Sequence, residues 1–351
     1  MTVKEDDDGD TAFILSKELT IQIVGDMNKE SDMHILISGG SGFLGRAFSD
    51  EIMARYRERK KAPQVTWLTR DSNQAHPDDI ATMTYDELTK TDKSFDVIIN
   101  LAGAGIADSR WSDSRKEQLM ASRIRPTEAL LAFIARRRSK PKLLISGSAI
   151  GWYGTQGDKP LTESSGFETD FAHKLCDDWE QLALKATEHR VPVAIVRTGV
   201  VIHPDGGMLA KLLTPFKMGV GGQLGDGKQI MSWISRADWV GAVIFIIEQY
   251  LADYDNSQTT NDNSLKTIND TPAMVYNLTA PNPVTNHTFT KTVGTWLHRP
   301  TLFTLPEFLL KQIFGEMSTL LIDGQKVLPQ ALLAAGYEFR YPTLMQALEA
   351  K

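Results

Sequence analysis

The sequence predicts an α/β protein: a doubly wound parallel sheet with a smaller, mainly helical lobe at its C-terminal end. Two observations predict this fold. From residue 33 onwards, short apolar segments typical of strands buried on both faces alternate with longer segments of helical periodicity. The first of these strands, His34–Ser38, runs directly into a glycine-rich loop, Gly39–Gly45. Strands that alternate with helices in this way form a parallel sheet covered on both faces.

The predicted elements follow one another in the order that such a sheet requires. Each is assigned from its hydrophobic periodicity and from the glycine, proline and polar residues at its ends. The predicted strands are His34–Ser38, Gln64–Thr69, Phe95–Leu101, Lys142–Ser146 and Val193–Arg197, and the predicted helices are Phe43–Arg59, Arg115–Arg138, Phe171–Glu188 and Asp238–Tyr250.

We predict four regions along the chain. Residues 1–32 are acidic and polar and form an extension outside the fold. Residues 33–200 form the core of the sheet. Residues 201–299 supply the remaining sheet elements and glycine-rich loops on the substrate side, with a polar surface insertion at 253–270. Residues 300–351 form a small C-terminal module with helices punctuated by proline.

Composition excludes several classes of function. A net charge of −6 over 351 residues gives no basic face for nucleic acid or an anionic membrane. The single cysteine, Cys176, excludes an internal disulfide and fits a reducing compartment. The acidic start and the lack of an apolar run of ~20 residues predict a cytoplasmic protein without a membrane segment. The seven histidines lack metal-ligand spacing, so we expect no metal site.

The glycine loop predicts a dinucleotide-binding Rossmann domain. It carries the pattern G-x-x-G-x-x-G at Gly39, Gly42 and Gly45, follows a predicted buried strand and opens a helix. The glycines allow a tight turn, a close approach of backbone to the pyrophosphate, and close packing of helix on strand. The helix N-terminus at Phe43 and Leu44 then faces the phosphate charge.

The end of the second predicted strand indicates NADP(H). An NAD-specific protein places an acidic residue there, against the ribose hydroxyls. This chain instead has Thr69 and Arg70, and a guanidinium pairs well with a 2′-phosphate. Arg46, just past the loop, could add a second positive charge. The alternative is that Arg70 is an ordinary solvated arginine next to Asp71.

With these motifs in order, the chain resembles the extended short-chain dehydrogenase/reductases. It is more closely similar to the "epimerase family protein" group, an atypical branch with its own short C-terminal domain. The likeness covers residues 33–349 and rests on an ordered series of motifs: 100–103, 110–111, 122–123, 145–154, 197–201, 219–222, 297–300 and 324–329.

The resemblance implies that several residues line the cofactor groove, and that dimers are common in the class. These residues are Thr69 and Arg70 near the 2′-phosphate, Leu101 and Ala102 through their backbone, Arg123 on the helix after the fourth strand, and Val201 after the strand that ends at Arg197.

The usual proton-transfer residues of this class are a serine, a tyrosine and a lysine, with the spacing Tyr-x-x-x-Lys. The one such string, Tyr56–Lys60, ends the helix after the glycine loop, where it is a chance match. Ser148 suits the serine. On the expected helix, however, Phe171 takes the tyrosine position and Lys174 is one residue out of register. Phenylalanine cannot transfer a proton.

Three residues remain as candidate catalytic groups: Ser148 as a hydroxyl donor, and Tyr153 and His173 as acids or bases. The alternatives are that Tyr153 closes a turn and that His173 is a solvated helix residue. We expect the acidic helical patch with Glu180 to face solvent. Lys228 and Trp233 could face a ligand, and the alternative is a surface loop anchored by a buried tryptophan.

Two functions follow from these patterns. The first is an NADP-binding oxidoreductase or epimerase-like enzyme that acts on a small polar substrate, with sugar-nucleotide-like molecules among the candidates. The second is a non-enzymatic NADP-binding sensor or protein-interaction module. The missing Tyr-x-x-x-Lys favours the second, and the complete glycine loop with Ser148 favours the first.

Overall fold

The computed structural model describes residues 33–57, 63–71, 76–259 and 273–350, apart from the side chains of 256–259. The predicted extension 1–32 and residues 260–270 of the predicted insertion lie outside the described residues. The first seven residues of that insertion, 253–259, belong to a helix. Their polar sequence is therefore compatible with the last turns of a helix.

Fifteen strands occur in the described part of the chain. They are β1 His34–Ser38, β2 Gln64–Thr69, β3 Ala81–Thr84, β4 Val97–Asn100, β5 Leu143–Ala149, β6 Gly157–Leu161, β7 Val193–Thr198, β8 Val200–His203, β9 Gly222–Leu224, β10 Ile230–Met231, β11 Trp233–Ser235, β12 Ala273–Leu278, β13 Val284–Thr285, β14 Phe303–Leu305 and β15 Gln325–Val327.

The same residues contain eleven α-helices and three short 3₁₀ segments, at Ile150–Tyr153, Lys185–His189 and Gly315–Ser318. The α-helices are α1 Phe43–Tyr56, α2 Tyr85–Lys90, α3 Asp113–Arg136, α4 Phe171–Leu184, α5 Gly207–Lys217, α6 Arg236–Thr259, α7 Asn286–Leu297, α8 Glu307–Phe314, α9 Thr319–Ile322, α10 Gln330–Ala334 and α11 Leu344–Glu349.

Seven strands form one parallel sheet in the order β12-β7-β5-β4-β1-β2-β3. The order reverses direction at β1 and β4, which pair with Ile35 opposite Val97 and Ser38 opposite Asn100. In open sheets of this kind, ligands bind at such a switch point, beyond the carboxyl ends of the strands. The predicted doubly wound parallel fold is confirmed.

Alternate residues of the strands face two separate hydrophobic cores. Ile35, Ile37 and Ile99 pack against α1 and α6 on one face. Leu36 and Ile98 pack against α3 and the segment after α4 on the other. Burial on both faces explains why these strands are continuous apolar runs in the sequence.

A third cluster forms the core of the smaller lobe. Its members come from α5, β11, α7 and α11, and Trp233 and Phe289 are among the most buried. The strands outside the main sheet are short and pair in twos: β8 with β11, β9 with β14, β6 with β15, and β10 with β13. Helices therefore supply most of this lobe, as predicted.

A buried carboxylate at the start of α6 fastens the C-terminal segment to the sheet domain. Asp238 is fully buried, and its Oδ1 and Oδ2 accept hydrogen bonds from the backbone N–H groups of Arg340 at 2.7 Å and Tyr341 at 3.1 Å. Ser235 donates to the same carboxylate, and the Tyr337 hydroxyl donates to the Asp238 carbonyl. These bonds join the start of α6 to the segment before α11.

Over the described residues, no helix combines the length and the apolar character that crossing a membrane requires.

Candidate functional site

The glycine loop fits tightly between β1 and β4. Gly39 has a φ of +80°, a conformation that favours glycine. A β-carbon on Gly39 would lie 2.8 Å from the Leu101 carbonyl and 2.9 Å from the Ala102 nitrogen. A β-carbon on Gly45 would lie 2.4 Å from the Gly39 oxygen. The predicted roles of these glycines in the turn and in helix packing therefore have a steric basis.

The N-terminus of α1 fits the phosphates of a dinucleotide. The residue before the helix, Gly42, has an extended backbone and no side chain to cap the helix, and the first turn contains no acidic residue. The first backbone N–H groups of a helix lack partners within it, and they attract anions. Phe43, Leu44 and Gly45 belong to this turn. The residues present thus suit the pyrophosphate.

The glycine loop packs against Trp67 of β2. A β-carbon on Gly40 would collide with the Trp67 ring at 2.1 Å, and the Trp67 Nε1–H donates to Ser49 on α1 at 2.9 Å. The Arg46 guanidinium lies 5.7 Å from the centre of the Trp67 ring. Trp67 therefore fixes the position of α1 relative to the glycine loop.

The two arginines that the sequence assigns to a 2′-phosphate lie in different surroundings. Arg70 is exposed at the end of β2, next to Thr69, whose hydroxyl donates to the Asp71 carbonyl at 2.7 Å. Burial raises the pKa of Tyr85, and the Ser38 hydroxyl and the charge of Arg70 oppose this shift. Leu68 is opposite Ser38 in the register of β1 and β2, so Arg70 follows at the carboxyl ends of these strands, where a group that contacts the 2′-phosphate is expected.

Arg46 instead lines a cavity of about 580 Å³ beside the glycine loop. The cavity lies between α1, the start of α6 and α11, and Arg236 and Arg340 share its wall. Acidic residues line it as well, among them Asp50 and Asp205. Arg70 is not part of this wall. The role of Arg46 at the 2′-phosphate stays a prediction.

Arg123 connects the loop after β4 to helix α3 by hydrogen bonds. Its Nη2 donates to the Ala104 carbonyl at 3.2 Å, and its Nη1 donates to the Leu119 carbonyl at 3.0 Å. Burial lowers the pKa of this guanidinium. Leu101 and Ala102 are half-buried in the same loop. Arg123 therefore shapes the backbone that is predicted to border the cofactor.

Val201 lies in β8, opposite Ile234 of β11, and is half-buried. The chain then turns back towards the glycine loop, since a β-carbon on Gly206 would lie 2.3 Å from the Phe43 ring. The segment that contains Val201 thus reaches the N-terminus of α1. This agrees with a position along the cofactor groove.

Ser148 belongs to a buried polar network at the carboxyl ends of β5 and β7. Its hydroxyl donates to Glu180 Oε1 at 2.5 Å. Arg197 donates to both oxygens of Glu180, from Nε at 2.9 Å and Nη2 at 2.8 Å. Ser148, Glu180 and Arg197 are 5%, 4% and 3% exposed. The prediction that Glu180 faces solvent is wrong, because α4 turns this carboxylate inward to meet Arg197.

The other two candidate catalytic residues, His173 and Tyr153, both contact the Trp152 ring, next to this network. The Arg197 guanidinium lies 3.4 Å from the centre of the Trp152 ring. His173 Nδ1 is 2.5 Å from the Trp152 carbonyl, and its ring stacks on Phe167 at 4.0 Å. His173 is buried, so the alternative of a solvated residue is wrong.

Tyr153 is fully buried, and its hydroxyl donates to Asn277 Oδ1 on β12 at 2.8 Å. Burial raises its pKa against the opposing charge of Arg197. These contacts favour a structural task for Tyr153, since its hydroxyl already has a buried partner. Catalytic roles for Tyr153 and His173 stay predictions.

The helix face opposite the end of β5 lacks both usual residues. A β-carbon on Gly151 would meet the Ala172 methyl at 3.1 Å and the Cys176 sulfur at 3.7 Å. Ala172 and Cys176 are four positions apart on α4. Ala172 lies about two turns before Glu180, and Cys176 lies about one turn before it. Phe171 instead packs edge-on against Trp111 at 4.8 Å, and Lys174 is exposed and paired with Asp178. Ala172 and Cys176 therefore occupy the face turned to the segment that follows β5, and Cys176 is also a hydrogen-bond neighbour of Ser148.

The remaining sequence candidates lie apart from this network. Lys228 is exposed and pairs with Asp226, whereas Trp233 is fully buried in the small lobe. Tyr56, which begins the chance Tyr-x-x-x-Lys string, is buried and donates to Glu248 on α6. Lys60 lies outside the described residues. Among the described side chains, no group of three His, Cys, Asp or Glu could hold a metal ion.

Comparison with known proteins identifies the family. The model of the NAD dependent epimerase/dehydratase family matches residues 35–261. The chain belongs to this family. Within this epimerase/dehydratase chain, a domain of unknown function, DUF1731, matches residues 305–350, which include α8 to α11. The resemblance inferred from the sequence motifs is confirmed.

Relatives of this epimerase/dehydratase family member match it over nearly their whole length. An epimerase family protein of Mycobacterium bovis is 35% identical over 323 residues, or 90% of this chain and 96% of the relative. A chloroplastic SDR39U1 homolog of Arabidopsis thaliana is 34% identical over 92% of this chain and 87% of its own. The compartment therefore differs among relatives, and a cytoplasmic location stays a prediction.

A solved structure with the same architecture contains a nucleotide. The human epimerase family protein SDR39U1 (isoform 2), crystallised with NADPH, is 29% identical and has a TM-score of 0.75. The match covers 90% of this chain and 98% of the human one.

Proposed function

We propose that this chain binds NADP(H) at the glycine loop and acts on a small polar molecule at the end of β5, as an oxidoreductase or an epimerase. The observation that carries the proposal is the uncapped N-terminus of α1 held against the Leu101 backbone by Gly39. The human relative crystallised with NADPH supports the choice of nucleotide, and so does Arg70 at the end of β2.

Different residues of the chain would bind different parts of the nucleotide. The N–H groups of the first turn of α1 would hold the pyrophosphate, and Arg70 with Thr69 would hold the 2′-phosphate. The backbone at Leu101 and Ala102 would border the adenosine side, and Arg123 supports the same loop two residues further on, at the Ala104 carbonyl. When bound, the nicotinamide supplies or accepts hydride.

Ser148 is the residue of the chain that we propose for the substrate. It lies at the carboxyl end of β5, one strand from the switch point, where ligands of such sheets bind. Its hydroxyl is oriented by Glu180.

The test combines nucleotide binding with turnover. Calorimetric titration with NADPH and NADH should show tighter binding of NADPH. A panel of small alcohols offered with NADP⁺, and of the matching carbonyl compounds offered with NADPH, should then give turnover that Ser148→Ala reduces by about 100-fold or more. Lys174→Ala, an exposed change on the neighbouring helix, is the control and should leave both properties intact.

The second candidate function is a non-enzymatic NADP(H)-binding sensor or interaction module. The observation that favours it is the presence of Ala172 and Cys176 on the face of α4 turned to the segment that follows β5, where a proton-transfer pair would stand. Burial raises the pKa of the Cys176 thiol to about 11, which makes it a weak acid. Tight NADPH binding without turnover of any compound would support this candidate. A homodimer, common in the class, stays a proposal for either function.

A further inference from the structure

We propose that Glu180 is a positioning residue that makes Ser148 a hydrogen-bond acceptor towards its ligand, so that the site selects a ligand group that donates, such as an alcohol hydroxyl. This deepens the proposed function and rests on it, because it names the chemical group that meets Ser148.

The direction of one hydrogen bond carries the inference. A serine hydroxyl has one proton and two lone pairs, whereas an ionised carboxylate only accepts. The Ser148 oxygen lies 2.5 Å from Glu180 Oε1, so the serine proton is committed to the carboxylate. Only lone pairs remain for a ligand at the end of β5. A ligand carbonyl would face them without a proton between the two oxygens.

Arg197 keeps Glu180 in the accepting form. Its Nε and Nη2 occupy both carboxylate oxygens, and a bidentate pair of this kind is a strong charge-assisted contact. Burial opposes the charge on Arg197, but the hydrogen bonds and the charge of Glu180 raise its pKa overall. Both oxygens of Glu180 therefore already accept hydrogen bonds from a charged guanidinium.

The side chains of this network have little room to rotate. Ser148 and Arg197 are direct partners in the register of β5 and β7, and both side chains are almost fully buried. The guanidinium carbon also lies over the Trp152 ring, 3.4 Å from its centre. Rotating the serine proton away from Glu180 would give up a charge-assisted bond inside the protein, where such bonds are strong.

Neighbouring groups offer no stronger donor in place of the serine proton. On α4, the segment after β5 meets Ala172, which has no polar atom, and Cys176, whose thiol is a weak donor. Trp179, which contacts Gly147 of β5, donates its Nε1–H to Thr127 instead. The Arg197 Nη1 has no hydrogen-bond partner among the described residues, but it is fully buried and so exposes no surface to a ligand. A ligand carbonyl near Ser148 would therefore lack a good donor.

Neutron diffraction from crystals of the full chain grown in D₂O tests the polarity directly. We expect the deuterium of Ser148 on its Oγ, directed at Glu180 Oε1. A deuterium directed away from Glu180, or bound to Glu180, would overturn the proposal. Because this readout needs neither turnover nor nucleotide, it is decided even if the proposed function fails. Failure of that function would show separately, as absent NADPH binding.

The selectivity is tested with matched probes of equal size. Crystals with NADPH are soaked in propan-2-ol or in acetone at equal molar concentration, and the occupancy next to Ser148 is refined. We expect propan-2-ol to exceed acetone at least threefold. Equal occupancy, or neither probe at Ser148, would overturn the proposal.

Two variants separate positioning from support of the fold. In Glu180→Gln, the new amide can donate to the Ser148 oxygen and release its proton towards the ligand, so the preference should shift to acetone. Ser148→Ala keeps the pair of Glu180 with Arg197 and should lose the preference. If Glu180 only supports the fold, Glu180→Gln should reduce the occupancies of propan-2-ol and acetone equally. If Glu180→Gln does not fold, Ser148→Ala with an unchanged preference is sufficient to reject the proposal.

Discussion

Gly39 and Leu101 approach each other so closely that a β-carbon on Gly39 would lie 2.8 Å from both the carbonyl carbon and the carbonyl oxygen of Leu101. The turn after β1 therefore lies directly on the turn after β4, at the point where the strand order reverses. The contact links the glycine loop to the backbone that we propose as the border of the adenosine.

Gly39→Ala should destabilise the fold and impair nucleotide binding together. The new methyl adds the strain of φ +80° to a collision with backbone, and we expect a loss of about 2–4 kcal/mol in the free energy of unfolding. Urea unfolding and NADPH titration measure the two effects. Gly336→Ala is the matched control, since Gly336 has a φ of +85° and open space around it. Equal losses in the two variants would contradict a steric role of Leu101.

Arg70→Glu should remove the preference for NADPH over NADH. Replacing one charge-assisted contact to a phosphate by a like charge should weaken NADPH binding about 10- to 100-fold, whereas NADH, without a 2′-phosphate, should change little. Calorimetric titration with both nucleotides measures the difference. Arg125→Glu, at an exposed position of α3, controls for the change in net charge. Parallel losses for both nucleotides in Arg70→Glu would reject this role.

Arg197→Ala should be strongly destabilising. The change leaves Glu180 buried without its partner, and breaking a buried pair in this way costs about 3–5 kcal/mol. Lys174→Ala breaks an exposed pair with Asp178 and should cost less than about 1 kcal/mol. Urea unfolding at neutral pH compares the two variants. A loss below about 1 kcal/mol for Arg197→Ala would show that water reaches Glu180.

Cys176 should resist alkylation in the folded protein. Only the thiolate reacts, and burial raises the pKa of this thiol to about 11, so almost none is ionised at pH 8. Because the folded state raises the pKa of Cys176, the protonated thiol favours folding. This contribution to the free energy of unfolding is present below the unfolded pKa of about 9 and is lost as the pH rises through about 11. Mass spectrometry after iodoacetamide treatment at pH 8 should show labelling in urea and none without it. Rapid labelling of the folded chain would place Cys176 within reach of solvent.

The central strands and the cofactor loop could be predicted from the sequence because their signals are local. Strands β1, β4 and β5 are buried on both faces, so each contains at least three consecutive apolar residues, and the glycine spacing follows from a short turn. The two outermost strands, β3 and β12, were not predicted. An edge strand has one neighbour and mixed burial, as in Ala81–Thr84, and leaves a weaker pattern.

The candidate site was only partly predictable, because it depends on how α4 is rotated. The sequence places Phe171 in the tyrosine position, but the structure turns Ala172 and Cys176 towards the segment that follows β5. Glu180 lies on the same helical stripe, and a carboxylate on an apolar stripe signals a buried partner. That partner, Arg197, comes from a separate strand, so no local pattern could identify it.

The Asp238 carboxylate holds residues 340 and 341 through their backbone N–H groups alone. A bond to the main chain does not depend on which side chain the residue carries, so many amino acids at these two positions would preserve the attachment, and proline would break it. The attachment to Asp238 therefore places no demand on the side chains at residues 340 and 341, in contrast to the Tyr337 hydroxyl, which donates to the Asp238 carbonyl.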